Sequence, residues 1–253
     1  MIYQPENWPK TNNDNILILD SSFNPPTLAH MALVQATINH FPPSTFTHCL
    51  FLFTTKNVDK QLSGASPSQR LDMMTLLAKK QTLPTAVGVT TSGRFVDKAT
   101  DLLNTFPNNA TATATTTKFC FILGYDTLIR LLDPKYYHPI SVQEALHPFF
   151  QHSTLVCVDR DGYGDMDGFW QKHKEDWVNK DGKITRIVLN DPKVETISSS
   201  LVRSVVSNTK STTSNTTTTT ETTDAVASRQ EELETMVDID VANYIRNQGL
   251  YSE

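Results

Sequence analysis

Thr27 and His30 stand three residues apart in the run SSFNPPTLAH, residues 21–30, directly after the apolar stretch Ile16-Leu17-Ile18-Leu19. Pro25 and Pro26 force a turn there, and Thr27 is placed to cap a helix running through Met31, Leu33 and Val34. Residues three apart share one face of a first helical turn. The backbone N–H groups and positive dipole end of such a turn favour a phosphate. An imidazole added there can hold charge that develops on a phosphate oxygen during transfer. An isolated histidine at a helix start more often caps or packs, but the whole strand–turn–helix context favours the phosphate reading.

Two further groups carry chemistry. In ISSSLVR, residues 197–203, the serines precede a helix start, and Arg203 lies three residues beyond Ser200. From there it can swing over the same anion and bind it bidentately. Serine caps are common and alone mean little, yet paired with the first turn they make a pincer for a polyphosphate. In FILGYDTLIRLLDPKYY, residues 121–137, Gly124 lets a ligand approach the backbone. Asp126 either accepts from ribose hydroxyls or only caps a helix, and the residues leave these two about even. Tyr136 and Tyr137 either offer a flat ring for stacking or are partly buried aromatics.

These residues need a scaffold that collects them at one edge. Apolar runs predict strands at 15–20, 48–54, 86–90, 118–123, 153–158 and 184–189. Helical patterns fall near 28–40, 67–80, 94–104, 126–132 and 166–178. Continuous apolar strands alternating with helices imply an α/β fold, a doubly wound parallel sheet covered on both faces. Its ligand site lies at the carboxyl ends of the strands, where the 21–30 turn falls. The 253 residues are expected to form a single domain. It is interrupted by two Thr/Ser/Asn tracts, 107–117 and 207–227, expected to be disordered insertions because they bury too little apolar surface. They also account for a hydrophobic content of only 38%.

A formal net charge of −5 argues against a general nucleic-acid binder. Cys49, Cys120 and Cys157 sit far apart in apolar runs and read as buried thiols of a reducing compartment. MIYQPENWPK has no apolar signal core and no stretch reaches membrane-spanning length, so cytoplasm or nucleus is the expected location, without a membrane partner. No protein metal site is apparent.

SSFNPPTLAH resembles the GSFNPxTxxH signature of nucleotidyltransferases, and ISSSLVR resembles its ISSTxxR partner. With Gly124–Asp126 as the GxD element and the ending VANYIRNQGLY, residues 241–251, the chain is similar to nicotinamide mononucleotide adenylyltransferases, most of all their fungal promoter-of-filamentation-like branch. The resemblance runs from residue 15 to 251 outside the two tracts. It implies a Rossmann-like fold and transfer of the adenylyl group of ATP, with Mg²⁺, to nicotinamide mononucleotide, giving NAD and pyrophosphate. Carried over by position, Ser21, Ser22 and Phe23 line the nucleotide crevice. Thr27 and His30 bind the phosphates, with His30 acting at the α-phosphate. Ser199, Ser200 and Arg203 hold the β- and γ-phosphates, Lys56 or Lys60 supplies a phosphate contact, and Gly124 and Asp126 contact adenosine. Arg160, Glu195 and Tyr136 or Tyr137 fall on the acceptor side. Departures are equally specific: Ser21 replaces the usual glycine, Glu195 stands where relatives often carry an amide, and Trp8, Trp170 and Trp177 miss the stacking positions. A nucleotidyltransferase with another phosphorylated acceptor, or a regulatory protein that binds or slowly hydrolyses ATP, are the competing expectations.

Overall fold

Each apolar run becomes a strand, and the central ones are buried on both sides because helices cover both faces of the sheet. The computed structural model describes residues 1–8, 14–55, 63–106, 117–159, 165–174, 177, 182–189, 191–207 and 230–252. The strands are β1 (Asn15–Ser21), β2 (His48–Thr54), β3 (Thr85–Thr90), β4 (Lys118–Gly124), β5 (Ser153–Asp159) and β6 (Ile184–Val188). The helices used below are α1 (Leu28–His40), α2 (Pro67–Ala78), α3 (Phe95–Thr105), α4 (Tyr125–Leu131), α5 (Val142–Phe150), α6 (Met166–His173), α7 (Pro192–Glu195), α8 (Ser199–Ser207) and α9 (Ile239–Asn247). The strands form one sheet in the order β3-β2-β1-β4-β5-β6, and every neighbouring pair is parallel. The expected doubly wound α/β sheet is present.

The chain winds outward from β1 to β3, then returns to place β4 on the other side of β1. A crevice opens at such a reversal, at the carboxyl ends of the two central strands. Register puts Ser21 opposite Phe53 and Leu19 opposite Ile122, so the 21–30 turn leaves the sheet at this edge. Alternation along β1 assigns the faces. Leu17 and Leu19 pack with Met73, Met74, Leu77, Val241 and Ile245, from α2 and α9. Ile16 and Ile18 pack with Ala99, Leu102, Leu146 and Phe149, from α3 and α5. Burying each such side chain contributes about 1.5–3 kcal/mol, so β1 is held rigidly beneath the turn. At its end Asp20 is buried in an ion pair with Lys98 of α3 and accepts from Thr54 Oγ1 at 2.9 Å.

Two helices depart from the sequence expectation. Helix α2 ends at Ala78 because Lys80 leaves the helix to bridge Asp238 and Asp240, each at 2.6 Å. Helix α6 spans Met166–His173, Lys174 keeps helical dihedrals after it, and of the remaining expected stretch to 178 only Trp177 lies within the described residues. Helix α5 was not anticipated, since Pro148 interrupts its pattern. Its signals were nonetheless present: Ser141 caps it by accepting from the Glu144 N–H at 3.1 Å, and Val142, Leu146 and Phe149 recur at helical spacing on the buried face. Apart from Thr117 and Ser207, both Thr-rich tracts lie outside the described residues. No helix among the described residues is long and apolar enough to cross a membrane.

Candidate functional site

Thr27 sits at the N-cap of α1, as its position after two prolines dictates, and His30 occupies the third helical position. The Thr27 backbone N–H donates to His30 Nδ1 at 3.1 Å, and Thr27 Oγ1 lies 2.8 Å from the same nitrogen. A backbone N–H can only donate, so Nδ1 accepts and the neutral ring carries its proton on Nε2. That nitrogen lies 3.0 Å from Ser21 Oγ at the end of β1. Thr27 is buried, with 1% of its surface exposed, and its hydroxyl is turned to the imidazole. Phe23 is turned inward as well. Its side chain is wholly buried, 5.1 Å from the His30 ring and 6.0 Å from Phe51, so only its backbone can line the crevice. Its φ of 45° is a left-handed conformation costing about 1–3 kcal/mol in a non-glycine residue, held here by the packing of that ring. Ser22, in contrast, is exposed.

The second phosphate motif meets the first across the crevice. Ser199 Oγ donates to the Pro25 carbonyl at 2.7 Å. Arg203 donates through Nη1 to the Asn24 carbonyl at 2.6 Å and through Nη2 to Ser200 Oγ at 3.0 Å. A guanidinium has five N–H donors, so these two bonds hold it over the loop with others left for an anion. Ser200 is exposed beside it. The predicted pincer is therefore assembled, from residues nearly two hundred positions apart.

Sequence reasoning missed what braces it. Asn24 is buried and is the hub of the loop: Nδ2 donates to the Ser63 carbonyl at 2.7 Å, and Oδ1 accepts from the Ala65 N–H at 3.1 Å and from Tyr251 O–H at 2.9 Å. Gly64 is required in the facing loop. Its φ is +75°, and a Cβ there would meet the Asn24 amide at 2.9 Å. Arg70 of α2, with 2% of its surface exposed, donates to the Ala65 carbonyl at 2.8 Å, the Ser22 carbonyl at 3.2 Å and the Ser63 carbonyl at 2.5 Å. Burial lowers its pKa, and the neighbouring Arg203 charge adds to the shift. Burial pushes the Tyr251 hydroxyl well upward, which keeps it a donor to Asn24. Two guanidiniums thus converge on one loop, a positive focus suited to phosphate. The available signal was Arg70 itself, a cation in the same helical stripe as Met73, Met74 and Leu77.

The remaining expectations divide. Gly124 caps α4 beside Asp126, and a Cβ on it would approach Asp126 Oδ1 to 3.1 Å, so glycine gives this carboxylate room. Asp126 is half exposed and only 3.5 Å from Arg130, a surface pair of little energetic weight. Tyr137 donates its hydroxyl to the Leu131 carbonyl at 2.7 Å and packs on the core, and burial raises it to about 12. Tyr136 is exposed with the Lys135 ammonium 4.8 Å from its ring. Neither has a described hydrogen bond to the 21–30 loop. Glu195 accepts from the Asp191 N–H at 3.3 Å, closing the turn of α7. Lys56, Lys60 and Arg160 lie outside the described residues. Among the described residues no group of three or more His, Cys, Asp and Glu could hold a metal ion. The three cysteines are free and buried.

Comparison with known proteins bears on this geometry. Residues 18–205 match the family model described as Cytidylyltransferase-like. A Schizosaccharomyces pombe protein named "Putative nicotinamide mononucleotide adenylyltransferase" is 33% identical over 150 residues, covering 58% of this chain and 53% of that protein. The chain therefore spans about half the length of that relative. Among solved structures, Plasmodium falciparum nicotinic acid mononucleotide adenylyltransferase complexed with NaAD is 16% identical with a TM-score of 0.62, covering 94% of this chain and 98% of that one. The same enzyme complexed with APC gives 15% identity and a TM-score of 0.60 over the same shares. At such identity these two structures establish the shared fold.

Proposed function

This chain belongs to the cytidylyltransferase-like family, and from that membership we propose that it transfers the adenylyl group of ATP to nicotinamide mononucleotide, giving NAD and pyrophosphate. The observation that carries the proposal is the meeting of the two phosphate motifs, with Arg203 on the Asn24 carbonyl and Ser199 on the Pro25 carbonyl. That pincer suits a polyphosphate. The N-terminus of α1 and the Thr27–His30 pair suit the phosphate at which charge develops.

In this mechanism Mg²⁺ would accompany ATP as part of the substrate and would supply charge neutralisation to the phosphates. Ser200 and Arg203 take the β- and γ-phosphates, with Ser199 bracing them through the Pro25 carbonyl, and His30 with the backbone of residues 21–23 faces the α-phosphate. Gly124 and Asp126 lie beyond the reversal point, where an adenosine would reach them. The acceptor phosphate attacks the α-phosphorus in line as pyrophosphate leaves. No covalent enzyme intermediate is needed, because the protein's contribution is positioning and charge stabilisation.

The acceptor is the less constrained half, since the Tyr137 hydroxyl is given to the Leu131 carbonyl and Glu195 accepts from the Asp191 N–H. The decisive experiment offers MgATP with nicotinamide mononucleotide, and separately with the nicotinic acid form, and follows dinucleotide and pyrophosphate together. NAD and pyrophosphate in equal amounts support the proposal. Bound ATP without any dinucleotide overturns it and favours another phosphorylated acceptor or a regulatory ATP-binding role.

A further inference from the structure

We propose that His30 acts through Ser21, whose hydroxyl is the donor that meets the α-phosphate oxygen while the imidazole polarises and aims it. This rests on the adenylyl-transfer reading of the site and goes beyond it in naming the group that touches the substrate. Three contacts carry it. The Thr27 N–H reaches Nδ1 at 3.1 Å and Thr27 Oγ1 lies 2.8 Å from it, so Nδ1 is an acceptor. The ring proton is then on Nε2, 3.0 Å from Ser21 Oγ. Ser21 Oγ is the acceptor of that bond, which leaves its own hydrogen to donate onward.

The ring has little freedom to turn its N–H elsewhere. Phe23 packs 5.1 Å from it in the buried core, Thr27 holds its far nitrogen, and β1 beneath Ser21 is buried along Ile16–Leu19. Ser21 is half-buried at the carboxyl end of β1, at the edge where the two phosphate motifs meet. A hydroxyl that accepts from an imidazole N–H is a stronger donor than one alone, because successive hydrogen bonds polarise one another. No proton has to leave the chain. The charge gathering on the phosphate oxygen in the transition state is met by a shortened Ser21 bond, with the imidazole dipole behind it. A serine in place of glycine at this position therefore extends the reach of His30 rather than obstructing it.

The test is a mutant cycle read in kcat and KM for ATP. Ser21→Ala should lower kcat roughly tenfold, the worth of one hydrogen bond strengthened in the transition state, with KM for ATP within about twofold. Ser21→Thr, which keeps the hydroxyl, should restore most of that loss. Ser21→Ala combined with His30→Ala should be little slower than His30→Ala alone, because both remove the same chain. Multiplying losses, or a Ser21→Ala enzyme as fast as the parent, overturn the proposal. Nitrogen-15 spectra of the imidazole provide a readout independent of activity. The parent should show a protonated Nε2 and a bare Nδ1, and Ser21→Ala should move the Nε2 resonance. Coincident spectra of the parent and Ser21→Ala overturn the chain of bonds even if no dinucleotide is ever formed. A moved resonance in a protein that makes no dinucleotide keeps the chain and rejects only the transfer reaction.

Discussion

Replacing Arg70 with methionine tests whether the phosphate loop is held from behind. The side chain is buried and donates to three carbonyls, of Ala65, Ser22 and Ser63, while its guanidinium carbon lies 5.4 Å from the centre of the Phe53 ring. Bonds from a charged donor are worth about 1.5–3 kcal/mol each, so three independent ones would sum to about 5–9 kcal/mol. The true loss is smaller for two reasons visible in the structure. The Ser63 carbonyl keeps its bond from Asn24 Nδ2, and removing the cation removes its own desolvation penalty, the burial that depresses the Arg70 pKa. The Ser22 and Ala65 carbonyls lose this donor outright. Arg70→Met should therefore destabilise by about 3–4 kcal/mol, a fall in Tm of roughly 10 °C for a chain of this size. Urea unfolding gives the first figure and calorimetry the second. Arg70→Lys, whose single ammonium cannot span three carbonyls, should recover less than half of the loss. ATP titration of folded Arg70→Met should show affinity about tenfold weaker, because Ser22 loses its anchor. A stability loss under about 1 kcal/mol, or a lysine variant matching the parent, would refute the bracing role.

Other expectations follow from the same geometry. Arg203→Ala should weaken ATP binding by about 1.5–3 kcal/mol while AMP, lacking the outer phosphates, binds variant and parent alike; calorimetric titration of both nucleotides decides it. Lys98→Met leaves the buried Asp20 carboxylate unpaired and should cost about 3–5 kcal/mol in urea unfolding, most of which the double variant Lys98→Met/Asp20→Leu should regain. Burial pushes Cys49 up to about 12 and Cys120 up to about 11, against an ordinary thiol value of 9.0, and Cys157 moves the same way. These thiols should resist alkylation in the folded protein. Because unfolded thiols ionise first, stability is unaffected below about pH 8.5 and falls as pH rises from there through 11–12, by up to about 1.4 kcal/mol per pH unit for each thiol. Cys49→Ala should flatten that slope in unfolding measured at pH 8 to 11.

Local pattern determined much of this protein. Runs such as Ile16–Leu19 could only be strands buried on both faces, and helices between them dictated a parallel sheet with its site at the carboxyl edge. Thr27 before Leu28 announced a helix start, because caps depend on neighbours three residues away. The phosphate motifs were legible because a turn with free N–H groups is itself a local object. Only the tertiary structure decided what those residues do to one another. Ser21 and His30 meet because β1 ends where α1 begins to run back across it. Arg203 reaches Asn24 across 179 positions, and Tyr251 reaches the same residue across 227. Arg70 became part of the site because α2 packs under the loop, a contact no spacing along the chain encodes. Thr27 and Phe23 lie in the motif that adjoins the crevice, and folding turned both side chains inward, since a buried ring and a hydroxyl with a nitrogen beside it are more stable there than in water. Periodicity reports which side of an element is buried; which distant group covers that side is settled only when the sheet is assembled.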